Sequence, residues 1–267
     1  MSDSDYNAVL CQIYVDAYFR SLFYQSPQVL FKDFVLTQEE QQSLLEIPQE
    51  KIEDFAISLL MKAKNSFFSR FAVLLKLDGD LFSKLFDRAY NLVKRTNFDS
   101  SSSYHLRLAK CILECLEPTE LVAYEVLRFL IDKVGLEPSY LYFGPITSIS
   151  LESKPFLHPN VKLVQYQFDP IEIISRIELS ESGKISQEMV DSETVRYFMY
   201  NNQENKFITV KLTKTLFELL CHFNGGFSLR EILARMRSLG QLTDKDEVEL
   251  LDNTFPTMLK QNWIFLK

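Results

Sequence analysis

From Tyr6 to about Tyr140 the apolar side chains recur every three to four positions, the period of an amphipathic helix. Residues 7–24 set Val9, Ile13, Ala17 or Phe19, and Phe23 on one stripe, with Tyr14, Tyr18 and Tyr24 between them. Ser26-Pro27 opens a short helix carrying Val29, Leu30 and Phe34, since proline suits a first helical turn. Thr37-Gln38-Glu39-Glu40 has the hydroxyl and the glutamate of a capping box, and its helix runs to Leu45. The next starts at Ile47-Pro48-Gln49-Glu50 and carries Ile52, Phe55, Leu59 and Leu60, with Phe67, Phe68, Phe71, Leu74 and Leu75 continuing beyond. A fifth helix is expected over Asp80–Lys94. Asn97-Phe98-Asp99 and the serines 100–103 read as a solvated connector, followed by helices at about 104–116 and 118–133, the latter ending at Gly135.

After Gly135 the period changes. Prolines 138, 145, 155 and 159 mark an extended crossing segment. Residues 161–168 alternate as a strand, 170–178 read as a short helix, and the polar run 180–192 reads as a loop. Residues 194–200 and 206–212 are rich in β-formers and are joined by the polar turn 201–205, so they predict an antiparallel pair. Three helical signals follow: one capped by Thr213, one capped by Ser228 after Gly225-Gly226, and one over about 245–260 that Pro256 interrupts, which predicts a kink or an early restart. Trp263-Ile264-Phe265-Leu266 closes the chain as a strand or wing. Three strands, three helices and a wing describe a winged helix-turn-helix. The expected class is therefore α+β, with a helical domain over 1–137, an extended connector over 138–160 and a winged-helix domain over 161–267.

Charge and composition narrow the chemistry. Seven glycines in 267 residues leave no G-x-G-x-x-G and no G-x-x-x-x-G-K-[ST], so the usual phosphate-cradling loops are missing. The net charge is −7, and residues 1–140 hold 15 basic against 20 acidic side chains, so neither half has the basic excess of a nucleic-acid domain. No uncharged apolar run is long enough for a membrane span, and Met1-Ser2-Asp3-Ser4-Asp5 carries acids where a signal peptide carries lysines; a cytoplasmic location is expected. Cys11, Cys111, Cys115 and Cys221 form no C-x-x-C, and His105, His158 and His222 form no H-x-x-x-H. No metal set, no catalytic residue and no autonomous active site is expected.

Two binding modes remain for the C-terminal half. The helix opening Ser228-Leu229-Arg230-Glu231 carries Arg230, Arg235 and Arg237 after a Gly-Gly turn, as a DNA-reading helix does. Against this stand Glu231, Asp244, Asp246, Glu247 and Glu249 nearby. The other mode is capture of an extended peptide as an added strand, which acidity does not oppose.

The segments Leu157-His158-Pro159-Asn160-Val161-Lys162-Leu163-Val164, Phe168-Asp169-Pro170-Ile171, Val195–Tyr200, Val210-Lys211-Leu212-Thr213, Leu216-Phe217-Glu218-Leu219-Leu220 and Gly225-Gly226-Phe227-Ser228-Leu229 carry a resemblance. Over about 110 residues they resemble the C-terminal half of a bacterial family of partner proteins encoded beside multinuclear non-haem iron-dependent oxidative enzymes. Those enzymes are TIM barrels that modify precursor peptides, often at cysteine, as in methanobactin-type systems. The last 75 residues are similar to the peptide-recognition domain typified by the small chaperone of pyrroloquinoline quinone biosynthesis. In the N-terminal half, Leu36-Thr37-Gln38-Glu39-Glu40 resembles a helix start found in peptide-biosynthesis modules.

The resemblance implies a non-catalytic subunit with no cofactor of its own, which binds a precursor-peptide leader and forms a heterodimer with an iron-dependent TIM-barrel oxidase; nucleic acid and membrane are not implied partners. In such recognition domains the leader adds beside the third strand and packs on the final helix. By pattern, that strand is 206–212 and that helix about 245–260, so Phe207, Ile208, Thr209, Val210, Leu251, Phe255 and Met258 become the peptide-site candidates. Tyr14, Tyr18, Phe156 and His158 are the candidates for the oxidase-facing surface. A winged-helix transcription regulator with a helical sensor domain is the alternative, and a purely structural assembly protein the third reading.

Overall fold

The computed structural model describes residues 3–93, 101–135, 149–180, 195–203 and 206–267. They fall into two compact units, one drawn from 1–123 with 177–184 and the other from 124–176 with 185–267. The fold mixes helices with an antiparallel three-stranded sheet.

The first unit is helical: α1 (Asp3–Val15), α2 (Ala17–Gln25), α3 (Pro27–Phe31), α4 (Gln38–Leu45), α5 (Gln49–Arg70), α6 (Ala72–Leu92) and α7 (Ser101–Cys115). The stripe expected over 7–24 is broken at Asp16, whose carboxylate accepts the amides of Tyr18 and Phe19 and so starts a new helix. The Thr37 capping box forms with both reciprocal bonds. The fifth helix begins earlier than Asp80, at Ala72, but the expected start survives as a kink: Asp78 is extended (φ −157°, ψ 91°) and its carboxylate accepts the Leu81 amide. Ser101–Ser103 are the first turn of α7 rather than connector, because serine is as much at home in a helix start as in a loop. Residues 97–100 of that expected connector lie outside the described residues. One core gathers Val9, Ile13, Phe23, Leu30 and Leu44. Deeper along α5–α7, the Phe67 ring meets Phe68, Phe71 and Phe86 at 4.7–5.2 Å between centroids.

The second unit contains most of α8 (Leu121–Gly135), then β1 (Pro155–Leu157), β2 (Val161–Tyr166), most of α9 (Pro170–Leu179), β3 (Arg196–Gln203), β4 (Lys206–Leu212), α10 (Lys214–Cys221), α11 (Leu229–Ser238), α12 (Asp244–Glu249), α13 (Phe255–Lys260) and β5 (Ile264–Leu266). The sheet order is β2-β3-β4. β3 starts and ends later than the expected 194–200, taking in Asn201–Gln203 from the expected turn. Residues 181–192 of the loop expected over 180–192 and residues 138–148 of the expected connector lie outside the described residues.

Pro256 has the effect its chemistry requires. It cannot donate the helical hydrogen bond, and the chain accommodates this with a π-helical turn over Leu250–Thr254 before α13 restarts with proline in its first turn. The crossing segment is extended because other elements use its backbone. Ser153 and Leu151 carbonyls accept the first amides of α11, those of Leu229 and Arg230, and β1 pairs with β5.

Gly225 sits where that segment crosses. Its φ is +75°, and a Cβ built there would lie 1.8 Å from the Phe156 ring, which is stacked on Phe265. Gly225→Ala is therefore expected to destabilise the chain by more than the ~1–2 kcal/mol of a left-handed alanine alone. In urea titration the midpoint should fall sharply, whereas Gly79→Ala, with nothing within 4 Å, should leave it nearly unchanged.

Candidate functional site

The two faces of the sheet follow from alternation, because Tyr200 pairs with Thr209 and Met199 with Val210. On one face Ile208 and Val210 join Met199 and Leu212 against the core of α10–α13, which also holds Leu250, Phe255, Met258 and the half-buried Leu251. On the other, Phe207 lies with Val164, Tyr166, Phe198 and Tyr200 against Phe129 of α8. Five peptide-site candidates, Ile208, Val210, Leu251, Phe255 and Met258, thus come together in one cluster, while Phe207 and Thr209 belong to the opposite face.

Burial sorts these candidates. Phe255 and Met258 are 1% and 3% exposed, so they are core side chains in this conformation, and an added strand would not reach them without moving the helix. Phe207, Ile208, Thr209, Val210 and Leu251 are half-buried and remain at a surface. Leu251 lies inside the π-helical turn over Leu250–Thr254, whereas Phe255 and Met258 belong to the restarted helix α13.

What sets β4 apart is its backbone. β3 occupies one edge of it, and among the described residues no strand, turn or cap hydrogen bond uses the other. β2, at the opposite end of the sheet, is blunted: the Arg128 guanidinium donates to the Gln165 carbonyl at 3.2 Å. The end of β4 is pinned by Lys211, whose Nζ donates to Asp169 Oδ2 at 2.8 Å while Asp169 Oδ1 accepts the first amides of α9. Among the described residues β4 therefore presents a row of alternating backbone donors and acceptors over 206–212, with apolar side chains above and below it.

A buried polar cluster that the sequence reading missed lies behind that sheet. Tyr166 donates to Asp132 Oδ2 at 3.0 Å, Lys162 donates to Asp132 Oδ1, and the Arg128 guanidinium lies 5.0 Å over the Tyr166 ring. Burial pushes the Tyr166 and Tyr200 hydroxyls well above their usual range, and the Asp132 charge acts in the same direction on both. Glu125, 3% exposed, has Oε2 without a hydrogen-bond partner among the described residues. The signal was present: Glu125, Arg128 and Asp132 recur at i, i+3 and i+7 on a helix that is otherwise mostly apolar.

Burial raises the Glu125 pKa, with Arg128 and the Gln167 amide pulling the other way. An acid whose folded pKa is raised contributes stability below its unfolded value and loses it as pH rises through the folded one. Glu125→Gln should therefore match the parent chain below pH about 4.3 and become progressively more stable than it as pH rises towards neutrality. Chemical denaturation at a series of pH values checks this, and a gap that narrows with rising pH would contradict it.

The interface candidates separate similarly. Tyr18 is 75% exposed, whereas Tyr14 is half-buried with its ring 4.5 Å from Phe55. Phe156 is half-buried in the β1–β5 ribbon. His158 is 4% exposed, and its Nδ1 accepts the Asn160 amide, so it organises the turn into β2 rather than offering surface. Among the described residues no group of three or more His, Cys, Asp or Glu side chains gathers as a metal would need, and no helix is long and apolar enough to cross a membrane.

Neither models of known protein families nor curated proteins gave a match to this chain.

Proposed function

We propose that the chain is a substrate-presenting subunit that binds the leader of a ribosomally made precursor peptide along β4 and holds the peptide's core at a partner iron-dependent oxidase. The observation that carries this reading is the open edge of β4. A row of strand donors and acceptors without a backbone partner among the described residues, flanked by half-buried Ile208 and Val210 on one face and Phe207 on the other, is the chemistry that pairs with an extended peptide. In this reading the three strands and the helices α10–α13 form a winged-helix recognition module, with the β1–β5 ribbon as its wing. Docking a leader keeps a flexible core at high effective concentration beside a metal that binds it only weakly.

The competing DNA-binding reading loses support at α11. Arg230 pairs with Glu152 at 2.6 Å, and Arg237 pairs with Glu247 at 3.2 Å, so two of the three arginines that would meet phosphates are already compensated.

Co-expression of this chain with an iron-dependent oxidase and a short precursor peptide sought among its neighbouring genes tests the proposal. The expected result is a mass change in the peptide that requires all three components. A peptide modified to the same extent without this chain would contradict it.

A further inference from the structure

The helical unit contains a cavity of about 410 Å³, bounded by the α1–α2 junction, α5, the end of α6 and the start of α7. That volume lies in the lower part of the roughly 300–1,000 Å³ typical of small-molecule sites. Its lining is graded. Val15, Leu59 and Ala63 supply apolar wall, and Tyr104 and His105, each 5% exposed, supply aromatic and polar surface from the buried side. The exposed Lys62 is a cation at the lining and makes no ion pair among the described residues. The acid in the lining, Asp16, has its Oδ1 committed to the Tyr18 and Phe19 amides at the start of α2.

We propose that this cavity binds a small aromatic carboxylate, with the ring between the apolar wall and Tyr104 and the carboxylate at Lys62. Charge selects the class. The lysine favours an anion, whereas the Asp16 carboxylate is already held by backbone donors and has less to offer a ligand cation. Size selects one ring with a short tail. This site is independent of β4 and of the peptide-binding reading.

Three probes that share one ring but differ in charge test it on the full chain: 4-hydroxyphenylacetate, its neutral amide, and tyramine. Ligand-observed NMR and calorimetric titration should give the acid a dissociation constant below about 1 mM, the amide about three- to tenfold weaker binding, and tyramine weaker still. Lys62→Gln, at an exposed position, should bring the acid down to the affinity of the amide and leave the amide unchanged. Ala63→Phe, which fills the cavity, should remove binding of both while the circular dichroism spectrum is retained. The proposal is overturned if the acid does not bind at about 5 mM, if tyramine binds as well as the acid, or if Lys62→Gln leaves the preference for the acid intact. Should Ala63→Phe fail to fold, the lysine variant and the probe series decide alone.

Discussion

A proline at one of the two adjacent positions Ile208 and Thr209 is expected to abolish peptide binding in a chain that stays folded, and at the other to unfold the sheet. The asymmetry follows from strand geometry. Along an antiparallel pair the amides alternate, so of two consecutive residues one directs its N–H at β3 and the other directs it at the open edge. Proline removes the donor in either case. Where the donor faces β3 it leaves a carbonyl in the ladder unpaired, at a cost of about 1–3 kcal/mol before any steric conflict. Where it faces outward the sheet keeps its bonds, but an incoming strand loses a donor and meets the ring, and leader affinity should fall at least tenfold. Alanine at Phe207 or Leu251 should be milder, because strand addition draws most of its affinity from the main chain. Folded variants at both positions that bind the leader like the parent chain would place the peptide elsewhere.

The second large effect is on stability. Phe67→Ala should cost about 3–5 kcal/mol, the range for deleting a buried phenylalanine. Phe67 is fully buried among Phe68, Phe71 and Phe86, with His105 edge-on at 6.1 Å, so few neighbours are free to collapse into the space. Phe255→Ala should cost a similar amount in the second unit, where the ring packs on Phe223 at 5.6 Å. Phe255 also separates two roles. As a core residue it lowers the denaturation midpoint when truncated and affects the leader only through the fold. A folded Phe255→Ala chain of parental stability with lost leader affinity would instead make it a direct peptide contact.

Local rules carried much of this fold. Thr37, Thr213 and Ser228 each cap a helix where a hydroxyl followed by a helical stripe predicts one. The alternation in 161–168 and the β-formers of 194–200 and 206–212 located the three sheet strands, with β2 ending two residues early and β3 shifted towards the turn. What escaped were features that depend on contacts distant in sequence. Asp16 and Asp78 interrupt apolar stripes that continue across them, and the interruptions become visible only once their carboxylates are seen on the amides of the following turn. β1 is three residues long and exists because β5 and the Phe223–Gly225 backbone lie beside it, which no local propensity encodes. For the candidate site, period two identified Phe207–Val210 as a strand but not that its outer edge is open, because the partner on either side is set by topology. Pro256 predicted a break in the helix carrying Leu251, Phe255 and Met258, but not that the break takes the form of a π-helical turn over Leu250–Thr254.

The central claim, that β4 accepts a peptide strand at its open edge, is tested most directly by amide hydrogen exchange measured residue by residue, with and without the precursor leader. The account predicts that alternate amides of 206–212, those directed away from β3, gain protection on adding the leader, while their neighbours and the amides of α11 keep the rates of the free chain. Unchanged exchange throughout 206–212 at saturating leader, or protection confined to another element, would contradict it.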